Sequence, residues 1–273
     1  RMAIDYDAVA ALMREVAAAE ILPRFRKLAP ADIREKDHPA DLVTVADIEA
    51  ERALGTGLTA LLPGSRLLGE EAAARDPGLL ALLGGAEPVW VIDPVDGTQN
   101  FVDGEERFAV IVGLCEGGRT VAGWILDPIG GSVVWAGIGA GAWREGATGR
   151  APLSVVRERP LSELKGCLDY RSVKQLKAAR EAALSPAPLL LHRQRCTGHE
   201  YIDLATQRID FAQYRRLKPW DHAAGVLIHA EAGGFSRLRG TGQPYRPEPA
   251  IVEQPLLLAP DENAWHALDT LLR

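Results

Sequence analysis

The sequence predicts an α+β architecture that passes into an α/β one: helices first, then a sheet of short strands, then strands and helices in alternation. Three observations carry this expectation. Two helix-periodic stretches precede position 63, residues 66–135 break into short β-rich runs between Gly and Pro clusters, and the last third alternates strand-like with helical patterns. With 273 residues, 47% of them hydrophobic and 25% charged, the chain can form one large domain or two modest ones around a substantial core.

Val9, Leu12, Val16 and Ala19 recur at helical spacing up to Pro23, which predicts a first helix over 5–22. Leu54, Leu58, Leu61 and Leu62 form the apolar stripe of a second helix, which starts near Thr44 and is stopped by Pro63-Gly64. Both read as amphipathic covers for a sheet. Strand-like runs at 67–68, 89–92, 108–115, 120–126 and 132–135 suggest that this sheet is antiparallel. Past a boundary near 150–159, strands expected at 166–169, 189–192, 235–238 and 256–259 alternate with helices expected at 173–184, 222–232 and 262–272. The expected division is therefore 1–155, helices plus antiparallel sheet, and 156–273, an α/β part.

Composition removes several function classes. A net charge of -6 offers no general attraction for nucleic acid or anionic lipid, so an anionic substrate must be held by local chemistry. Cys115, Cys167 and Cys196 are odd in number and lack CxxC spacing, which points away from disulfides and structural zinc and toward a reducing cytoplasm. No apolar run approaches the ~20 residues of a membrane span, so neither export nor insertion is expected. The six histidines, His38, His192, His199, His222, His229 and His266, show no HExxH spacing and read as structural. Gly137, Gly139 and Gly141 fail the dinucleotide fingerprint at Ala142 and read as a turn between strands.

The most informative segment is WVIDPVDGTQNFV, residues 90–102. An apolar strand leads to Asp93; Pro94 biases Asp93 away from the α region, and Asp96 is followed by Gly97 and Thr98, which suit a tight turn opening a helix. Two carboxylates then leave one strand end toward the same space. Close carboxylates share a proton or recruit a cation, and a hard ion such as Mg²⁺ prefers oxygen ligands and works beside a phosphate. Asp-Pro and Asp-Gly are also ordinary turn formers, so the pairs alone would signify little.

Six specified positions in order signify more. Asp93-Pro94-Val95-Asp96-Gly97-Thr98, continued by Asn100-Phe101, resembles the signature of the inositol monophosphatase family of lithium-sensitive phosphatases. Gly69-Glu70-Glu71, the run DLVTVAD at 41–47, and WDHAAGVLIHAEAGG at 220–234 are similar to three further family motifs in the same order. The resemblance implies a layered α-β-α-β-α sandwich of the inositol monophosphatase and fructose-1,6-bisphosphatase type, two or three Mg²⁺ ions, a homodimer, and a small phosphate ester as substrate. It implies Glu70, Asp93 and the Val95 carbonyl as ligands of a first metal, and Asp93, Asp96 and Asp221 as ligands of a second, with a third ion near Glu70. Asp47 and Thr98 resemble the pair that orients the attacking water, with Glu70 also catalytic, and Gly97 and Thr98 the amides that receive phosphate.

Other readings stay open at several of these positions. Asp221 also suits a helix N-cap, Glu71 is either a solvated neighbour or a support of the metal ligands, and Lys36 is either an exposed charge or the family's lysine near the metals. The implied chemistry is in-line attack by water, because neither a Cys-x5-Arg loop nor a DxDG aspartyl nucleophile is present.

Substrate choice departs from the family. The chain reads Gly198-His199-Glu200-Tyr201 where small residues are usual, is about three residues shorter before Asp210, and has Tyr214 where an acid grips sugar hydroxyls. Asp103 replaces a common histidine, a change expected to affect loop packing. Glu200 and Tyr214 are the expected substrate contacts, and they admit inositol monophosphate, histidinol phosphate, fructose 1,6-bisphosphate or 3'-phosphoadenosine 5'-phosphate, with packing roles as the alternative. A different class, a protein bound to the RNA-synthesis or ribosome-assembly machinery, has little support in the short basic run 192–195.

Overall fold

In the computed structural model, which describes residues 4–36, 42–181 and 188–273, Asp5 caps helix α1, Tyr6–Val16, by accepting from the N–H groups of Asp7 and Ala8. The helix continues through a π turn, Ala17–Ile21, and a 3-10 turn, Leu22–Arg24, so its extent is as expected but its pitch changes after Val16. Strands β1, Ile33–Glu35, and β2, Leu42–Thr44, pair antiparallel ahead of helix α2, Val45–Leu61. Thr44 caps α2, and Asp47 answers by accepting from the Thr44 N–H at 2.8 Å, a reciprocal box that sets the helix start.

The first sheet runs in simple order: β3, Arg66–Gly69; β4, Val89–Asp96; β5, Ala109–Glu116; β6, Arg119–Leu126; β7, Val133–Gly137; β8, Gly141–Gly146; β9, Gly149–Leu153. Helix α3, Glu70–Arg75, follows β3, and helix α4, Thr98–Asp103, follows β4. The expectation of an antiparallel sheet needs one correction. β3 lies parallel to β4, because α3 and the 3-10 stretch Pro77–Gly84 carry the chain back across before β4 begins. β8 and β9 were not foreseen, since Gly141, Gly146 and Gly149 leave little apolar alternation; the Gly137–Gly141 turn was.

The remaining elements are β10, Lys165–Cys167; α5, Tyr170–Glu181; β11, Leu189–Leu190; α6, Thr197–Ala205; β12, Phe211–Tyr214; α7, Pro219–Glu231; β13, Phe235–Leu238; β14, Leu256–Ala259; and α8, Glu262–Leu271. The five strands form a second, mixed sheet in the order β11-β10-β12-β14-β13. Helix α6 escaped the sequence pattern because its polar positions, His199, Glu200 and Asp203, are buried along with the apolar ones from Gly198 through Ala205, so no solvent-facing stripe marks it.

Three apolar interfaces stack these elements into α-β-α-β-α layers. Val9, Met13, Leu54 and Leu58 of α1 and α2 cover Trp90, Ile92, Val110 and Trp124 on one face of the first sheet. The other face, through Ala109, Ile111 and Ile125, meets Tyr201 of α6 and Ala224 and Ile228 of α7, which also reach Ala212 and Leu258 of the second sheet. Leu176, Trp265 and Leu268 close the outer face of that sheet against Phe211 and Leu257. Helices α6 and α7 follow the expected boundary at 155 yet contact strands of the first sheet, so a shared core joins the two parts. The approach of α7 is close: a Cβ on Gly123 of β6 would lie 2.7 Å from the Cα of Ala224, which explains the small residues after Trp220-Asp221.

Candidate active site

All eight positions of β4 are buried, which fixes the strand rigidly and sets its C-terminal carboxylates in a defined place. The pairing of β4 with β5 slips between Asp93 and Asp96, where Pro94 has no N–H to give the ladder. Asp93 accepts from the Val95 N–H at 3.2 Å. Gly97 then turns the chain into α4 with φ of +84, a left-handed value that a side chain resists, and a Cβ there would meet the Arg107 carbonyl at 3.0 Å.

Two other elements bring acids to this end. Glu70 opens α3 directly after Gly69, and Asp221 lies in the first turn of α7. The N-cap of α7 is Lys218, with Pro219 and Trp220 between, so the N-cap reading of Asp221 is corrected: its carboxylate is free for other work. Carboxylate oxygens of Glu70, Asp93 and Asp221 lie within 4.8 Å of one another. Asp96, Val95, Gly97 and Thr98 line the same cleft, of about 320 Å³, together with Gln99, Arg195 and Lys218. Asp96 has one oxygen engaged: Oδ2 accepts from the Gly198 N–H at 2.5 Å and from the Cys196 thiol at 3.0 Å, both at the start of α6.

Electrostatics mark this cluster as unfinished. Burial, reinforced by the charges of Glu70, Asp96 and Asp221, pushes the Asp93 carboxyl well above its ordinary range. Burial also raises Asp221 to about 8; Lys218 opposes the shift, while Glu70 and Asp96 add to it. Asp96 rises to about 6 through burial despite its hydrogen bonds from Cys196 and Gly198. At Glu70 the effect of burial is outweighed by Lys218 and Lys36 acting together, and its carboxyl falls below the usual glutamate value. Crowded carboxylates such as these either share a proton or bind a cation. An all-oxygen, mutually repelling set, Asp93 buried and Glu70 and Asp221 partly so, fits a hard divalent ion such as Mg²⁺.

The water-orienting pair expected from sequence is also assembled. The Thr98 hydroxyl lies 3.1 Å from Asp47 Oδ1 and 3.0 Å from the Val95 carbonyl, while Asp47 Oδ2 accepts from Thr44. Burial raises Asp47 to about 6. Lys36 is no exposed charge: its Nζ reaches Glu70 Oε1 at 3.2 Å and Glu71 Oε1 at 2.6 Å. Glu71 is correspondingly buried, which overturns its solvated reading, and burial pushes it to about 8. Asp41 and His38 lie outside the described residues.

The expected substrate contacts are placed elsewhere. Glu200 is 2% exposed and held by Arg193 at 2.9 Å and by the Gln194 N–H; Tyr214 is buried under the Arg193 guanidinium and stacked on Tyr201. Neither lines the acidic cleft. Asp103 accepts from Gln99 and faces Arg195 at 3.6 Å, so it does organise the loop beside the cleft.

Three contributors escaped the sequence reading. Glu51 accepts from the Glu71 and Ala72 N–H groups and thereby holds α3 and Glu70; a Cβ on Gly69 would strike its carboxylate. Its position one helical turn after Asp47 was the available signal. Lys218 touches Glu70 Oε1 at 3.4 Å and stands three residues before Asp221. Arg195 lines the cleft, a place that its membership of the short basic run 192–195 does not announce.

Comparisons with known proteins agree with this geometry. A family model described as the inositol monophosphatase family matches residues 5–271. The inositol-1-monophosphatase of Mycobacterium bovis is 37% identical over 74% of this chain and 70% of its own length, and the Nus factor SuhB of Vibrio cholerae is 33% identical over 71% of each. The solved Thermotoga maritima IMPase superposes with a TM-score of 0.75 at 22% identity, covering 97% of this chain and 95% of that one, a likeness of fold.

Proposed function

This chain belongs to the inositol monophosphatase family and is a phosphoric monoester hydrolase, and from that premise we propose that it hydrolyses a small polyol or sugar-like phosphate with Mg²⁺ and water, inositol monophosphate being the leading candidate. The observation that carries the proposal is the convergence of Glu70, Asp93 and Asp221 oxygens within 4.8 Å. These three, the Val95 carbonyl and the second oxygen of Asp96 would hold two or three ions. Bound there, the metal supplies Lewis acidity toward phosphoryl oxygen and lowers the pKa of water.

The chain's own residues do the rest. Asp47, anchored by Thr44, and the Thr98 hydroxyl orient the attacking water, with Asp47 receiving its proton. The Gly97 and Thr98 amides, at the turn into α4, donate to a phosphate oxygen. Glu51, through its grip on the Glu71 and Ala72 N–H groups, fixes Glu70 in place. Because Glu200 and Tyr214 are buried in a separate cluster, choice among inositol monophosphate, histidinol phosphate, fructose 1,6-bisphosphate and 3'-phosphoadenosine 5'-phosphate falls to the cleft-lining Gln99, Arg195 and Lys218.

We place the enzyme in the cytoplasm, a reading supported by three free cysteines, and take the homodimer from the family resemblance; among the described residues no helix is long and apolar enough to cross a membrane. Phosphate release should require Mg²⁺, and Asp93→Asn should lower turnover roughly 10³-fold or more while the variant stays folded. Near-normal turnover in that variant would end the proposal. The similarity to a Nus factor supports a second reading, association with the RNA-synthesis machinery. Salt-sensitive RNA retention by Asp93→Asn protein, without Mg²⁺-dependent phosphate release by the parent, would favour it.

A further inference from the structure

A second cavity, of about 500 Å³, shares Glu70 and Lys218 with the acidic cleft but has the opposite electrical character. Its size falls within the range of small-molecule sites. Among the described residues, Arg34, Arg75 and Arg216 join Lys36 and Lys218 around it, five cations against the two carboxylates Glu70 and Glu71. Lys36 and Lys218 already hold those carboxylates. Arg34, from β1, and Arg216, from the segment before α7, are both exposed and make no ion pair among the described residues. Ile48, Trp220 and Ile251 supply an apolar wall between the charges.

A wall of this kind does not suit a polyol or a metal ion. Guanidinium forks match carboxylate, phosphate or sulfonate oxygens two at a time, and an apolar wall stabilises the part of a ligand that brings no hydroxyls. We propose that this cavity is a binding site for a small organic anion, an acidic group carried on an apolar body, and that it is separate from the acidic cleft. The anion is either the far end of the substrate or an independent ligand that enters behind Glu70. The site itself stands without the phosphatase reading; only the distinction between those two sources rests on it.

2-Naphthalenesulfonate is a suitable probe because it has the charge and the apolar body and carries no phosphate to be hydrolysed. Calorimetric titration at low ionic strength should show one probe bound per chain. The double variant Arg34→Gln/Arg216→Gln should weaken that binding by about tenfold or more. Arg237→Gln should leave it unchanged, because Arg237 lines a different groove with Arg119 and Arg246. Absence of saturable binding to the parent protein, or equal affinity in the double variant, overturns the proposal. In turnover assays with Mg²⁺, a probe that raises KM alone identifies the anion as part of the substrate, and one that lowers kcat identifies a separate ligand. Loss of the phosphatase reading would appear as no turnover with intact probe binding.

Discussion

Two groups of buried acids meet at helix α6, and they are treated in opposite ways. Glu200, Asp203 and Asp210 are each 2% exposed, and each has an arginine: Arg193 at 2.9 Å, Arg107 at 3.3 Å and Arg159 at 2.6 Å. Backbone and amide donors complete them, with Gln194 reaching Asp203 and the Lys165 N–H reaching Asp210. Asp93 is as enclosed at 2% exposed, Asp96 nearly so and Asp221 partly buried, yet their nearest charged neighbours are mostly other acids, and all three are pushed upward in pKa. A buried carboxylate with its own cation is complete as folded. A buried group of them without enough cations is arranged for something that arrives later.

The largest effect expected from this contrast is on the completed side. Arg193 holds Glu200, donates to the Gln213 carbonyl and lies over the Tyr214 ring at 4.8 Å. Arg193→Met keeps much of the stacking but leaves Glu200 buried and unpaired, and should cost about 3 to 5 kcal/mol in urea denaturation. Asp221→Asn, in metal-free buffer, should cost nothing and is expected to stabilise. If the two variants lose stability equally, the distinction drawn between the two groups of acids is wrong.

This contrast was only half legible in the sequence. The completing side depends on pairings such as Arg107 with Asp203 and Arg159 with Asp210, whose partners are 96 and 51 positions apart and leave no local pattern. The acidic side is local in its core, because a buried strand, a proline and a glycine turn force Asp93 and Asp96 together, and the remaining acids lie at element starts that carry their own signals. For the same reason α1, α2, α7 and α8 were readable from periodicity, whereas fully buried α6 and the glycine-interrupted β8 and β9 were not. The role assigned to Tyr214 followed a sequence offset; the structure turns that side chain into the Arg193 stack instead.

A third kind of buried group tests the rule from outside. His229 of α7 is 1% exposed, neither ring nitrogen has a hydrogen-bond partner among the described residues, and burial lowers it to about 4. It is uncharged when folded, and Gly234 makes room for its ring, since a Cβ there would lie 2.2 Å from Cε1. The unfolded chain takes up a proton near pH 6.5 that the folded chain refuses until about 4. The stability tied to this residue is therefore complete above 6.5 and lost as pH falls across that window, amounting to about 3 kcal/mol. His229→Leu should flatten the fall in stability between pH 6.5 and 4 by that amount, measured as urea midpoints at each pH. An unchanged slope would mean that the imidazole gains a partner or solvent on acidification.

The smallest effect expected, and the most direct test of what the unfinished acids await, is the response of the folded chain to Mg²⁺. An ion that binds only the folded state adds RT ln(1 + [L]/Kd), ~2.7 kcal/mol at a hundredfold excess over Kd. That gain should appear as a rise in melting temperature, reverse on chelation, and persist in Arg193→Met protein at its lower baseline, because Glu200 lies outside the cleft. In Asp93→Asn the gain should vanish, while the chelated variant should be at least as stable as the chelated parent, since one of three acids within 4.8 Å has lost its charge. Magnesium stabilisation of equal size in Asp93→Asn would place the ion elsewhere and leave the repulsion at the end of β4 without a purpose.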